Sequence, residues 1–168
     1  MDDTEAITAH IPHLRRYARA LTGDRIAAED LVQDTLERAW TRFGLWRRGS
    51  DLRAWLFTIM HNLHVNQRKS NPPSQSYSAE HSALELSVAA NQEGRLEITD
   101  LHKALQRLPD EQKEVILLIG LEQLSYDEAA KVLGVPIGTV MSRLSRGREQ
   151  LRQIMQRGGA TAQLKVIK

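Results

Sequence analysis

Apolar residues recur at three- and four-residue steps along most of the chain, and the period-two alternation of strands is missing. Ile7, Ile11, Leu14, Tyr17, Ala18 and Leu21 mark a first amphipathic helix, and Gly23-Asp24 stops it. A second helix is predicted from about Ala27, with Leu31, Val32, Leu36, Ala39, Trp40 and Phe43 as its apolar stripe. Asp30, Gln33, Asp34 and Glu37 fall largely off that stripe. Residues 44–50 read as a loop broken at Gly49-Ser50. Asp51 is placed to cap a third helix, which carries Leu52, Trp55, Leu56, Ile59, Met60 and Leu63 on one side, with Trp55 in the core.

The pattern then lapses. Asn71-Pro72-Pro73-Ser74-Gln75-Ser76 is polar and interrupted by proline, and the period over 80–94 is poor, so 71–97 is read as a flexible linker. Helical spacing resumes with Ile98, Leu101, Ala104, Leu105 and Leu108. Pro109 then marks a new helix start, followed by the acids Asp110 and Glu111 in its first turn. The expected architecture is all-α: two small helical domains (1–70 and 98–157) joined by the linker, with a tail over 158–168.

The sharpest local pattern lies in 125–151. Ser125-Tyr126-Asp127-Glu128 has the form of a capping box, which satisfies two orphan amides at a helix start. Ala129 and Ala130 are small enough to let a second helix cross closely. Gly134 sits where the chain must turn through a positive φ, and Pro136 and Gly138-Thr139 restart a helix. Val140 follows ten residues after Ala130. Small residue, turn glycine and buried aliphatic at this spacing describe a helix-turn-helix. Its second helix carries Ser142, Arg143, Arg146, Arg148 and Arg152, and arginine's fork matches guanine O6/N7 or a phosphate. An αα-hairpin with a solvated basic face satisfies the same spacing.

Charge sharpens this picture more than composition does. The net charge is only +2, but from Arg143 to Lys168 seven basic residues face one acid, Glu149, as a polyanion-binding surface requires. There is no cysteine, which removes disulfides and thiolate metal sites. The N-terminus is acidic where a signal peptide would be basic, and no apolar run approaches a membrane span, so a cytoplasmic protein is expected.

Two sets of residues bear a family resemblance. Leu108-Pro109, Leu124-Ser125-Tyr126-Asp127-Glu128-Ala129-Ala130 and Gly138-Thr139-Val140-Met141-Ser142-Arg143-Leu144 resemble the −35-reading domain of bacterial sigma factors. Ala28-Glu29-Asp30-Leu31-Val32-Gln33-Asp34-Thr35 and Leu52-Arg53-Ala54-Trp55-Leu56-Phe57-Thr58-Ile59 resemble their −10-reading domain. With these two domains alone, the chain is similar to the extracytoplasmic function (ECF) class over roughly 140 residues.

The resemblance implies promoter-specific transcription initiation with core RNA polymerase, engaged through the β′ clamp coiled coil and the β flap. It assigns Asp30, Gln33 and Asp34 to the clamp, although their chemistry alone favours a solvated helix face. It gives Asn62 and Asn66 to the bases of the −10 strand, Arg47, Arg48 and Arg53 to its phosphates, and Trp46 to the support of an unstacked base. Thr139, Ser142, Arg143, Arg146 and Arg148 go to the −35 duplex. An anti-sigma factor is an implied partner. Met141 departs from the Lys or Arg of many relatives, His61 and His64 flank Asn62 where relatives vary, and Leu63 fills a commonly small position. These departures bear on which promoter sequence is read.

His10/His13 and His61/His64 each have i,i+3 spacing, but neither pair has a third ligand nearby in sequence, so no metal site is expected. Phosphate loops, nucleophile elbows and zinc-hydrolase signatures are missing too. No catalytic residue, cofactor or small-molecule substrate is therefore expected. The competing reading is a conventional helix-turn-helix regulator that grips duplex operator DNA without polymerase.

Overall fold

The computed structural model describes residues 2–70 and 92–167, with side chains described for 2–70 and 98–158. Among the described residues there are helices and turns and no strand. The N-terminal half contains α1 (Asp3–Thr8), α2 (Ile11–Thr22), α3 (Arg25–Thr41) and α4 (Leu52–Ser70), with a short 3₁₀ turn over Phe43–Leu45. The C-terminal half contains α5 (Gln92–Gln106), α6 (Asp110–Ile116), a π-helical turn over Leu117–Leu121, α7 (Tyr126–Leu133) and α8 (Ile137–Ile167).

The single first helix expected from the apolar spacing is two helices. Pro12 lies in the first turn of α2, where it lacks an N–H and its ring excludes a continuous helix through the preceding turn. The apolar spacing survives the break because Ile7 and Leu14 both reach the core. Gly23 ends α2 in the left-handed conformation, with φ 71°. The next helix starts at Arg25, two residues before the expected position, because both Asp24 carboxylate oxygens accept amide hydrogens, from Ile26 and Ala27. Asp51 caps α4 in the same way, accepting from the amides of Arg53 and Ala54.

Tyr17 and Phe57 meet edge to face at 5.0 Å in the N-terminal core, among Leu14, Leu21, Leu31, Val32, Leu56 and Met60. Trp40, placed on the buried stripe by its spacing, is 43% exposed. It lies in the last turn of α3, next to the point where the chain leaves for the 3₁₀ turn.

In the C-terminal half, α5 begins at Gln92, inside the stretch read as linker, while 71–91 lie outside the described residues. Likewise α8 runs to Ile167 through residues read as a tail. The capping box at Ser125 is formed in both directions, at 3.0 and 3.1 Å. Gly134 ends α7 with φ 67°. The two helices of the motif close over Ala129, Val132, Leu133, Val140 and Leu144. Gly147 serves a different need: a Cβ there would stand 2.8 Å from Ile116 Cδ1 and 3.2 Å from Gln112 Cβ, so α8 crosses α6 closely and a larger residue would force Ile116 to move.

The buried apolar residues of both halves belong to one cluster, and α4 packs against α7. The two domains are in a closed arrangement.

Candidate nucleic-acid and polymerase interfaces

The second helix of the motif, α8, presents its polar side chains on the face opposite Val140 and Gly147. Ser142, Ser145, Arg146 and Arg148 are exposed, and Met141 is 51% exposed beside them. A shallow groove of about 340 Å³ runs along this face, lined by Tyr126, Met141, Ser145, Arg148 and Arg152. Arg152 is tied to Glu149 at 2.6 Å, which holds a cation at the groove's end. Thr139 is half-buried and its carbonyl accepts from the Ser142 hydroxyl at 3.2 Å. Arg143 stands apart from this group. It turns toward the N-terminal domain, 3.7 Å from Glu111, and lines the cleft between the two domains.

In the N-terminal domain, Asn62 and Asn66 are both exposed and lie four residues apart on one face of α4. Arg47 and Arg48 are exposed in the loop before α4, and Arg48 lies 3.6 Å from Asp3. Trp46 is half-buried, 5.3 Å from Phe43 and 6.5 Å from Trp55, so three aromatic rings brace this loop. Arg53 points elsewhere, donating to the Glu122 carbonyl of the other domain at 3.1 Å. Asp30, Gln33 and Asp34 are exposed along α3, with Asp34 accepting from Gln67 of α4 at 3.2 Å.

Between the domains runs a seam of charge that the periodicity gives no reason to expect. Glu122 has a fully buried side chain. Arg16 grips it with a two-pronged fork, Nε at 3.2 Å and Nη2 at 3.0 Å, and His13 stands 3.5 Å away. A buried carboxylate is tolerable only with such partners. His61 Nδ1 lies 2.8 Å from Glu114, which is likewise buried. His64 Nε2 lies 2.9 Å from Asp110 Oδ2, and Arg68 donates to Asp110 Oδ1 at 2.7 Å.

Burial pushes the Asp110 carboxyl up. The hydrogen bond from His64 and the charges of His64, Arg68 and Lys113 outweigh it and hold the group below the ordinary carboxylate range. Burial pulls the neighbouring Lys113 ammonium below its ordinary value. A Cβ on Gly23 would stand 2.7 Å from Gln106 Cδ, and Gln106 donates to the Ala20 carbonyl, so the halves are also closely fitted there. The sequence signal for this seam was weak: Glu114 and Glu122 sit among aliphatic residues, at Glu114-Val115-Ile116 and Leu121-Glu122.

Comparison with known proteins gives two family matches in chain order. The model described as the Sigma2 domain of PhyR matches residues 7–61, and Sigma-70, region 4 matches residues 98–151. The ECF RNA polymerase sigma factor EcfG of Rhodopseudomonas palustris is 36% identical over 159 residues, covering 92% of this chain and 85% of that protein. The ECF RNA polymerase sigma factor SigL of Mycobacterium tuberculosis is 38% identical over 162 residues, covering 90% and 88%. Among solved structures, the sigma factor RpoE in complex with the anti-sigma factor NepR from Bartonella quintana aligns with a TM-score of 0.74 at 34% identity. That alignment covers 91% of this chain and 96% of RpoE.

Proposed function

The chain belongs to the ECF family of RNA polymerase sigma factors, and from that premise we propose how its two domains divide the work. It binds core RNA polymerase and directs promoter-specific initiation through the −35 and −10 elements; the chemistry of RNA synthesis is the polymerase's. An anti-sigma factor belongs among its partners. Among the described residues no helix is long and apolar enough to cross a membrane. The protein acts where polymerase and chromosome are, in the cytoplasm.

The observation that carries the division of work is the pairing of two exposed polar faces in one chain. Ser142, Arg146 and Arg148 lie open on α8, and Asn62 and Asn66 lie open on α4. The first set enters the major groove of the −35 element, where arginine reads guanine and serine reads either neighbour. Met141 supplies an apolar contact there, suited to a thymine methyl group. Asn62 and Asn66 bond the exposed edges of unstacked −10 bases, while Arg47 and Arg48 hold the strand's phosphates and the Trp46 ring forms one wall of the base pocket. Binding energy gathered from flipped bases offsets the lost pairing, so melting requires no nucleotide hydrolysis. Asp30, Gln33 and Asp34 dock on the basic residues of the clamp helices.

The closed arrangement constrains this mechanism. Elements centred about 25 base pairs apart are separated by about 85 Å of duplex, whereas α4 packs directly against α7. The domains must part for both elements to be engaged. Arg53 and Arg143, which face the seam in the closed form, become available to DNA phosphates once it opens. In vitro transcription with purified core polymerase over a promoter library tests the reading. Start sites that require the chain and share −35 and −10 sequences are the expected result. Tight operator binding by the chain alone, with no transcription from any promoter, would refute it.

A further inference from the structure

We propose that His64, Asp110 and Glu114 form a binding site for a first-row divalent transition cation of the zinc class, which joins the two domains in the closed arrangement. One donor atom from each residue lies within 4.8 Å of the other two. His64 comes from α4, and Asp110 and Glu114 come from successive turns of α6. In sequence the His61/His64 pair had no third ligand; the fold brings two carboxylates to it.

The surroundings are those of a ligand set rather than a chance cluster. Metal-binding carboxylates are usually steadied by an outer hydrogen bond to one oxygen. Asp110 has this, because Arg68 holds Oδ1 at 2.7 Å while Oδ2 faces His64 at 2.9 Å. Glu114 has it also, with His61 Nδ1 holding Oε1 at 2.8 Å. The cations Arg68 and Lys113 both stand on the Oδ1 side of Asp110, Lys113 at 3.9 Å. Tetrahedral donors about 2.1 Å from zinc lie about 3.4 Å from one another, so separations of up to 4.8 Å close by at most about 1.4 Å while the 2.9 Å His64–Asp110 contact opens slightly.

A cleft of about 440 Å³ between the domains is lined by His61, Arg68, Asp110, Glu114, Val135 and Arg143. It gives an ion access to both carboxylates and leaves room for water in a fourth position. Nitrogen with two carboxylates selects zinc, cobalt(II) or similar ions over thiophilic ones. To ligate, His64 Nε2 turns a lone pair to the metal in place of its hydrogen bond to Asp110.

Binding itself is independent of the sigma-factor reading. Its consequence rests on that reading: a cation shared by the two domains opposes the separation that promoter engagement requires. The chain has no cysteine, so a dye pair can be attached at Glu37→Cys and Lys131→Cys, both exposed and in different domains. Titration of the full chain with Zn²⁺, followed by a chromogenic chelator, should give one equivalent. Cobalt(II) should give the intense visible bands of a four-coordinate ion. Energy transfer between the dyes should rise on zinc addition.

Glu114→Gln and His64→Asn should weaken uptake at least tenfold, and Glu111→Gln, an exposed acid beside the site, should leave it unchanged. Circular dichroism screens the variants for folding, and Glu114→Gln decides if His64→Asn does not fold. No uptake at micromolar zinc, or uptake unchanged in folded Glu114→Gln, overturns the site. Uptake with unchanged energy transfer overturns the joining of the domains. Transcription by the metal-free chain is measured separately, so failure of the sigma-factor reading would show there and not in the titration.

Discussion

Individual side chains divide into those that face solvent with unused bonding capacity and those committed to the protein. Arg146 is of the first kind, with its guanidinium on the exposed face of α8. Arg146→Ala should weaken promoter binding by the polymerase complex by about 1–3 kcal/mol and relax selectivity at one −35 position, measured by competition between promoter variants. Asp34 is also exposed, and it accepts a hydrogen bond from Gln67. Asp34→Arg should lower retention of core polymerase in a pull-down while circular dichroism stays unchanged.

His102 is of the second kind. It is 2% exposed, neither ring nitrogen has a hydrogen-bonding partner among the described residues, and burial foremost, then Lys113, lowers its pKa below 6.5. The unfolded chain therefore takes up this proton first as pH falls. The stability from neutral His102 is complete above 6.5 and is lost as pH drops below it toward the folded-state value. Thermal unfolding of His102→Leu against the parent, from neutral pH to about pH 5, should show a smaller loss in the variant.

At the scale of elements, the boundaries follow from capping and backbone conformation more than from hydrophobic period. The Ser125 box, the Gly134 turn and the Gly147 crossing place α8 at the angle that exposes its polar face. Ser125→Ala removes one cap bond and leaves the Glu128 amide unpaired, so it should cost about 1 kcal/mol of stability in chemical denaturation. Promoter contacts should persist, because no proposed DNA-reading side chain depends on that hydroxyl. The break between α1 and α2 was legible in principle, since Pro12 sits inside the apolar pattern. Period alone hid it, because two helices with one kink can still present a shared buried side.

At the scale of the molecule, the closed arrangement rests on a mixed interface. Apolar contacts are continuous through it, yet Glu114, Glu122, Lys113 and His64 are buried there and each has a polar partner. Such a seam is specific rather than strongly adhesive, because every charge that leaves it regains water. Glu122→Ala removes the acceptor of the Arg16 fork and frees Arg16 to solvent. It should weaken closure by about 1.5–3 kcal/mol and raise the radius of gyration in small-angle scattering. An unchanged radius would mean that apolar contacts alone hold the halves together.

The sequence by itself determined the all-α class and the helix-turn-helix, and it named the residues proposed to meet polymerase and promoter. These depend on relations within a few turns of chain: a cap and its amide, a glycine at a positive φ, two asparagines one turn apart. Only the tertiary structure decided that Arg53 and Arg143 face the seam, that Gly147 is a crossing point, and that His64 meets Asp110 and Glu114. Those pairs are separated by about 30 to 70 positions, and no local periodicity carries the orientation of one domain against another. That orientation is fixed by how two finished surfaces match in shape and charge, which neither surface encodes alone.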